Sequence, residues 1–513
     1  MRAARCLLLA ALLASAAAGQ APTVVVQRLP QTIPPPHHDL SYVQAAGPLS
    51  PLGEGGRTEL EWGDVNGDGQ PDLVGIGDHG SPLIGTQQHG VMTWLGDGAG
   101  GFSVVQVGNF GYGGVALGDV DGDGQMDIGY AMHHDYSATD LGDQLIEVAL
   151  GDGSGAAWLP WDDGLATAGE TYGMFGTDFG DVDADGDLDL GSNSFGCCAG
   201  VHVYRNGGSG SWTPSWGFTG GNSNMDFLFA DFDGDGNLDA ASANSLGTVW
   251  RGDGAGGFAA ADGNLPASNW NGGLSAADVD GDGADELAFV TGGAPQVWRW
   301  GAGNAWTSLS AGLPAMGWQA VQLLDLDSDG LCDLLAFGSG NVRAWRGDGA
   351  GGWAPQPAFT TPGGGAKTFV AFRAGADIDH NGYPDFAVVQ DEGGGFSSAN
   401  RTRVFREASV PTIRRVRVSA PGPGRTWRAG QVRWVEWLSA VPPGAPPGSV
   451  TVELSVSGLG GPWEALAAGL PDNGRAQVTA PAGVTAQHAW VRVTVQAAGG
   501  AWIDVGGPLR IVD

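Results

Sequence analysis

Apolar residues in this chain come in short runs, bounded by clusters of glycine, aspartate and proline. Runs of that length, rich in Val, Trp and Phe, predict strands rather than helices, and the dense turn residues predict many of them. Two elements alternate. The first is a nine-residue pattern, D-x-[DN]-x-[DN]-G-x-x-[DE], beginning at Asp64, Asp119, Asp181, Asp231, Asp278, Asp325 and Asp377. Its copies lie 55, 62, 50, 47, 47 and 52 residues apart, about 52 on average. The second is a strand-like stretch ending in an aromatic residue, then a glycine turn and another aromatic, as at 94–102, 204–212, 250–258 and 345–353. Glycine supplies the positive φ of such a tight hairpin.

Each repeat therefore reads strand, acidic loop, strand, variable loop, strand, glycine hairpin, strand. That is one four-stranded up-and-down blade, and seven acidic loops predict a seven-bladed β-propeller over residues 58–408. The seventh blade runs out of chain near Pro411, so Val24 to Leu29, within the segment 19–57, are expected to complete it as a closing strand at about 23–29. From 412 to 513 the pattern changes to strand-like runs between Gly and Pro turns, the size and rhythm of an immunoglobulin-like β-sandwich. The fold class is all-β throughout.

The acidic loops carry the chemistry. Positions 1, 3 and 5 set three side-chain oxygens on one turn, and position 6 is Gly in all seven. Position 7 varies freely, as suits a residue offering only its carbonyl, and position 9 is always acidic. The expected ligands are Asp64, Asn66, Asp68, Gln70 and Asp72 in the first loop, and Asp119, Asp121, Asp123, Gln125 and Asp127 in the second. The third and fourth offer Asp181, Asp183, Asp185, Asp187, Asp189 and Asp231, Asp233, Asp235, Asn237, Asp239. The fifth and sixth offer Asp278, Asp280, Asp282, Ala284, Glu286 and Asp325, Asp327, Asp329, Leu331, Asp333. The seventh offers Asp377, Asp379, Asn381, Tyr383 and Asp385. Hard oxygens without His or Cys favour Ca2+, up to seven ions. An EF-hand is excluded, because position 12 is never Glu and a strand follows where a helix is needed. Asn66 and Asn381 make the first and seventh loops the expected weakest sites.

Charge sharpens this picture. The formal charge is −33, and the loops hold 28 of the 56 acidic residues, so seven ions would bring it to −19. Residues 401–513 have the opposite balance, 12 Arg against 7 acids. Nine of those Arg fall between Arg401 and Arg433, and two targets suit them: the acidic propeller tethered beside them, or an anionic polysaccharide. So acidic a surface argues against nucleic acid. Arg2 and Arg5, the apolar run Leu7 to Leu13 and the Ala16-x-Ala18 end read as a cleaved secretory signal over 1–18, implying a secreted monomer without a membrane span. Three cysteines then remain, too few for a disulfide framework; adjacent Cys197 and Cys198 read as two buried thiols or a vicinal disulfide.

The sevenfold D-x-[DN]-x-[DN]-G-x-x-[DE] loop with its glycine hairpin resembles the FG-GAP/VCBS repeat family, whose best-known fold is the seven-bladed propeller of integrin α-subunit heads. The resemblance covers 58–407 and implies calcium at loop positions 1, 3, 5, 7 and 9. Ser328 and His380 depart from the usual Gly at position 4. The segment from Ala420 to Trp427, with Gly430 and Trp437, resembles an immunoglobulin-like module. The family includes adhesion receptors, lectins, polysaccharide lyases and scaffolds, so function rests on the site. Long variable loops in blades one, two and seven would gather His79, His133, His134, Asp135 and Tyr136, either as a binding region or as tolerated insertions. Tyr112, Trp270 and Trp318 would stack on sugar rings at the channel mouth or pack between blades. GDGAGG at 96–101, 252–257 and 347–352 sits in hairpins with no following helix, so it is no dinucleotide site. The sequence reading is a non-catalytic recognition, adhesion or scaffold module for a glycan or protein. The alternative is a calcium-dependent polysaccharide lyase using His133-His134-Asp135.

Overall fold

The structure is a computed structural model, and it describes residues 38–49, 59–77, 90–106, 114–131, 144–170, 174–194, 196–197, 200–266, 272–338, 340–364, 371–391 and 400–513. Among these there is no helix and therefore none long and apolar enough to cross a membrane. The strands form seven antiparallel sheets of four or five strands in chain order, followed by two further sheets. The first sheet is typical: Glu59–Gly63, Asp72–Gly77, Gly90–Gly96 and Phe102–Gln106 pair in sequence. An acidic loop joins its first strand to its second, and a glycine hairpin its third to its fourth.

The first strands of successive sheets touch in order, and that of the seventh, Phe372–Ala374, touches Glu59–Gly63 of the first. The result is a closed, propeller-like ring of seven sheets. The seventh sheet takes its fourth strand from far upstream: Tyr42–Ala46 pairs antiparallel with Asn400–Glu407. The closing strand expected there, at about 23–29, lies outside the described residues. The pairing strand YVQAA is only five residues long and lacks a β-branched run such as Val24 to Val26, so its strand pattern is the weaker one. Apolar side chains fill the spaces between sheets; Trp94, Tyr130, Tyr204, Phe289, Trp345 and Phe386 are among the largest fully buried.

An innermost strand has one unpaired backbone edge, and here polar side chains of the adjacent sheet satisfy it. Val115 N–H donates to Glu59 Oε2 (2.9 Å), Phe229 N–H to Asp178 Oδ2 (2.8 Å), Leu323 N–H to Ser275 Oγ (2.9 Å) and Leu274 N–H to Asp226. At the closure, the Arg373 guanidinium meets Glu61 and its carbonyl accepts from Trp62 Nε1 (3.3 Å). Between the second and third sheets the backbones approach directly. A Cβ on Gly114 would lie 2.3 Å from Thr177 N, so only glycine fits.

The last two sheets form a C-terminal unit. A three-stranded sheet (Arg415–Ala420, Val432–Ala440, Arg475–Thr479) and a five-stranded one enclose a shared core with Trp427, Val435, Trp437, Val452 and Val493. Trp437 Nε1 donates to Oδ1 of buried Asp472 at 2.8 Å, and the Ser439 hydroxyl donates to the same oxygen at 2.7 Å. This unit sits on the acidic-loop rim of the ring.

Burial pushes the Asp226 carboxyl up to about 7, with neighbouring Asp178 adding to the rise. The folded ring thus holds a proton there that the unfolded chain, with an ordinary carboxyl, releases. Stability from this group is present at acid pH and is lost as pH climbs from about 4 to about 7. Asp226→Asn keeps an oxygen for Leu274 N–H but cannot ionise. Denaturant titrations of calcium-saturated protein across this range should fall less steeply with pH for the variant than for the parent.

Candidate metal centres

The seven acidic loops share one hydrogen-bond scaffold. The position-6 glycine N–H donates to the position-1 carboxylate in every loop, from Gly69 to Asp64 (2.9 Å) through Gly382 to Asp377 (2.8 Å). The position-7 N–H donates to the position-5 side chain in every loop, for example Gln70 to Asp68 and Tyr383 to Asn381. Two residues per loop adopt positive φ. At position 6 this is always Gly, with φ between 87° and 99°. At position 4 it is Gly in four loops but Ala184 (60°), Ser328 (63°) and His380 (52°) in the others. Two of these exceptions join adjacent loops: Ser328 Oγ donates to Gly382 O, and His380 Nε2 lies 3.0 Å from Gln70 Oε1.

Position 9 does more than close a cage. In all seven loops its carboxylate accepts the N–H of position 2, as from Val65 to Asp72 (2.9 Å) and from Val279 to Glu286 (2.6 Å). In six it also accepts an N–H at the end of the third strand, as from Gly252 to Asp239 (2.8 Å). These side chains are buried, and each clips its loop to the sheet beneath.

The remaining oxygens converge. In the second, third, fourth and sixth loops, ligating atoms of positions 1, 3 and 9 lie within 4.8 Å of one another; in the fifth those of Asp278, Asp280 and Asp282 do. Such clusters could hold a metal ion, and two observations fit one. Asp183 Oδ1, Asp280 Oδ1, Glu286 Oε1 and Asp325 Oδ1 are buried without a hydrogen bond, which a native fold rarely leaves unsatisfied. Burial, reinforced by the adjoining loop carboxylates, also pushes the Asp72, Asp127 and Asp333 carboxyls up to about 7 and those of Asp239 and Glu286 to about 8. A divalent cation relieves that repulsion.

The C-terminal unit reaches all seven loops. Asn473 Nδ2 donates to Asp64 Oδ2 (3.1 Å), Gln477 exchanges hydrogen bonds with the Asp119 backbone, and Val432 N–H donates to Asp181 Oδ2 (2.9 Å). Thr426 Oγ1 donates to Gly234 O and Arg433 to Gly236 O. Arg425 pairs with Asp285 (2.6 Å), Arg417 with Asp325, and Val441 N–H donates to His380 O. Of the two targets open to the Arg-rich segment, the ring's own acidic rim is the one it meets. A cavity of about 300 Å3 remains between the second and third loops and this unit, lined by Asp119, Gly122, Asp187 and Gln477.

His79, Tyr112, His133, His134, Asp135, Tyr136 and Trp270 lie outside the described residues. Trp318 is buried against Trp345, ring centroids 5.5 Å apart and near perpendicular, so it packs in the core instead of facing a ligand. Cys332 is a buried free thiol.

The chain carries FG-GAP-like repeats, which match residues 64–130, 194–242 and 325–388. No curated protein matches it. Among solved structures it is similar to a lectin of Agrocybe aegerita that recognises non-reducing terminal N-acetylglucosamine, at 19% identity and TM-score 0.42 over 61% of this chain and 81% of that one. A Lactobacillus plantarum protein is similar at 11% identity and TM-score 0.39 over 63% and 96%.

The clip at position 9 predicts a cost independent of any ion. Asp239→Ala leaves the buried N–H groups of Phe232 and Gly252 unpaired and should cost about 2–4 kcal/mol. Denaturant melts in excess chelator should still show that loss, whereas Asp233→Asn should cost far less there.

Proposed function

We propose that this protein is an exported seven-bladed calcium propeller, residues 58–408, capped by an immunoglobulin-like sandwich, residues 412–513, and that it serves as a non-catalytic recognition or scaffold module for a glycan or protein. Calcium is favoured over magnesium because carboxylates and carbonyls on a tight loop make an irregular all-protein cage, and magnesium demands a near-ideal octahedron and retains its waters. Side chains at positions 1, 3, 5 and 9 would hold the ion, with the carbonyl of position 7. Export is supported by the basic, then apolar, then small-residue start of the chain.

One observation carries the recognition reading: the C-terminal unit contacts every acidic loop, so that rim is engaged inside the molecule. Ligands would then use the opposite rim, where the strand ends Gly77 and Gly90, Ala131 and Ile146, and Asp391 and Asn400 lie. A glycan array read beside a polysaccharide turnover assay tests this. Binding without product formation is expected; release of unsaturated sugar products would replace this reading with the lyase.

Calcium removal gives a second test. Ions that bind only the folded ring stabilise it by mass action at several sites at once. Excess chelator should lower Tm by about 5 °C or more, since each kcal/mol lost shifts Tm by about 1 °C in a chain of this size. Calcium should restore it and magnesium should do so poorly. Equal melts in chelator and calcium would remove the metal assignment.

A further inference from the structure

In six sheets the penultimate residue of the third strand directly precedes the amide bonded to the position-9 carboxylate. In the first two sheets this residue is Leu95 and Leu150; in four others it is Arg205, Arg251, Arg346 and Arg406. The strand register puts Arg299 at the same point of the fifth. All five guanidiniums reach the position-3 Asp of their own loop. Arg205 lies 3.2 Å from Asp183, Arg346 2.7 Å from Asp327 and Arg406 2.5 Å from Asp379; Arg299 meets Asp280, and Arg251 meets both Asp233 and Asp235. Leu95 and Leu150 instead pack against apolar clusters.

A guanidinium at this position acts as a cation would, offsetting repulsion among the loop carboxylates in the folded state. It also repels a second cation. The two effects oppose each other in calcium binding: the loop needs the ion less and attracts it less. Counting positions 1, 3, 5 and 9 with the third-strand residue, the second loop keeps a formal −4, the first and the third to sixth −3, and the seventh only −2. The second loop is also the open one. Asp121 and Asp123 are exposed, nothing lies within 4 Å of a Cβ built on Gly122 or Gly124, and the cavity of about 300 Å3 adjoins it.

We infer that the third-strand arginines are resident cations that hold loops three to seven together without an ion, and that tight, stability-linked calcium binding is concentrated in loop two. This rests on the calcium reading above. It revises the ranking by carboxylate count alone: the first loop gains from its missing arginine what Asn66 takes away, which sets it level with loops three to six, and the seventh stays weak.

The fold tolerates an exchange at this site. The hairpin glycine of the adjoining sheet covers the stem of either residue: a Cβ on Gly155 would meet Leu95 Cδ2 at 3.1 Å, and one on Gly256 would meet Arg205 Cδ at 3.1 Å. The test uses the full chain, calorimetric calcium titration, and melts in calcium and in chelator. Arg251→Leu should raise the calcium affinity of one site about tenfold, as expected for one charge acting on a divalent ion through a partly exposed surface. It should also widen the Tm gap between calcium and chelator. Leu150→Arg should weaken the tightest site by a similar factor and narrow the gap, and Arg251→Lys, which keeps the charge, should match the parent. If Arg251→Leu weakens calcium binding, or leaves both affinity and Tm gap unchanged, the inference is overturned while the calcium reading stands. A parent chain that binds no calcium would overturn both. Should Leu150→Arg not fold, Arg251→Leu against Arg251→Lys decides the matter.

Discussion

The constraint on which this structure depends is the crowding of carboxylates into seven small loops on one rim of a ring. Charges that close repel unless each oxygen has a partner, and burial raises the cost of leaving one bare. The chain supplies partners of four kinds: backbone N–H groups within the loop, N–H groups of the sheet beneath, arginines of the third strand, and donors of the C-terminal unit. The oxygens left over, such as Asp280 Oδ1 and Glu286 Oε1, are where an ion fits.

The division of labour within a loop explains its pattern of constancy. Position 9 is acidic in every repeat, and in six of them its two oxygens bind the loop to its sheet, where a side chain without those acceptors would leave buried amides unpaired. Position 6 is always glycine because the turn is left-handed there, while position 4, equally left-handed, admits Ala184, Ser328 and His380. Two of those three join neighbouring loops by their side chains, a gain that offsets an unfavourable backbone conformation. A similar economy governs the inner strands, where Glu59, Asp178, Asp226 and Ser275 bind the exposed amide edge of the adjoining sheet.

Placing the C-terminal unit on this rim ties two functions of arginine together. Arg417 and Arg425 neutralise loop acids from above, while Arg205, Arg251 and their counterparts do so from within the sheets. The arginine excess of the last hundred residues is thus the complement of the acid excess in the ring. A rim closed in this way acts as a foundation, and recognition in the proposed function belongs to the opposite one.

What the sequence by itself determined was local. The repeat length, the acidic loop, the invariant glycine and the glycine hairpin follow from φ, ψ and charge within ten residues, so the all-β repeat architecture was legible from them. The signal for the third-strand cation was also present, in the pairs Tyr204-Arg205, Trp250-Arg251, Trp298-Arg299, Trp345-Arg346 and Phe405-Arg406, although it gains meaning only once the strand is known to end beside its loop. Tertiary structure alone decided the rest. The closing strand at Tyr42–Ala46 pairs with residues more than 350 positions away, and a five-residue strand carries too little pattern to name its partner. Trp318 suited either a ligand or a core by sequence, and only the fold sets it against Trp345. The target of the arginine-rich segment was likewise open, because a guanidinium binds a carboxylate of its own chain as readily as one outside it, and only the docking of the two units brings Arg417 to Asp325.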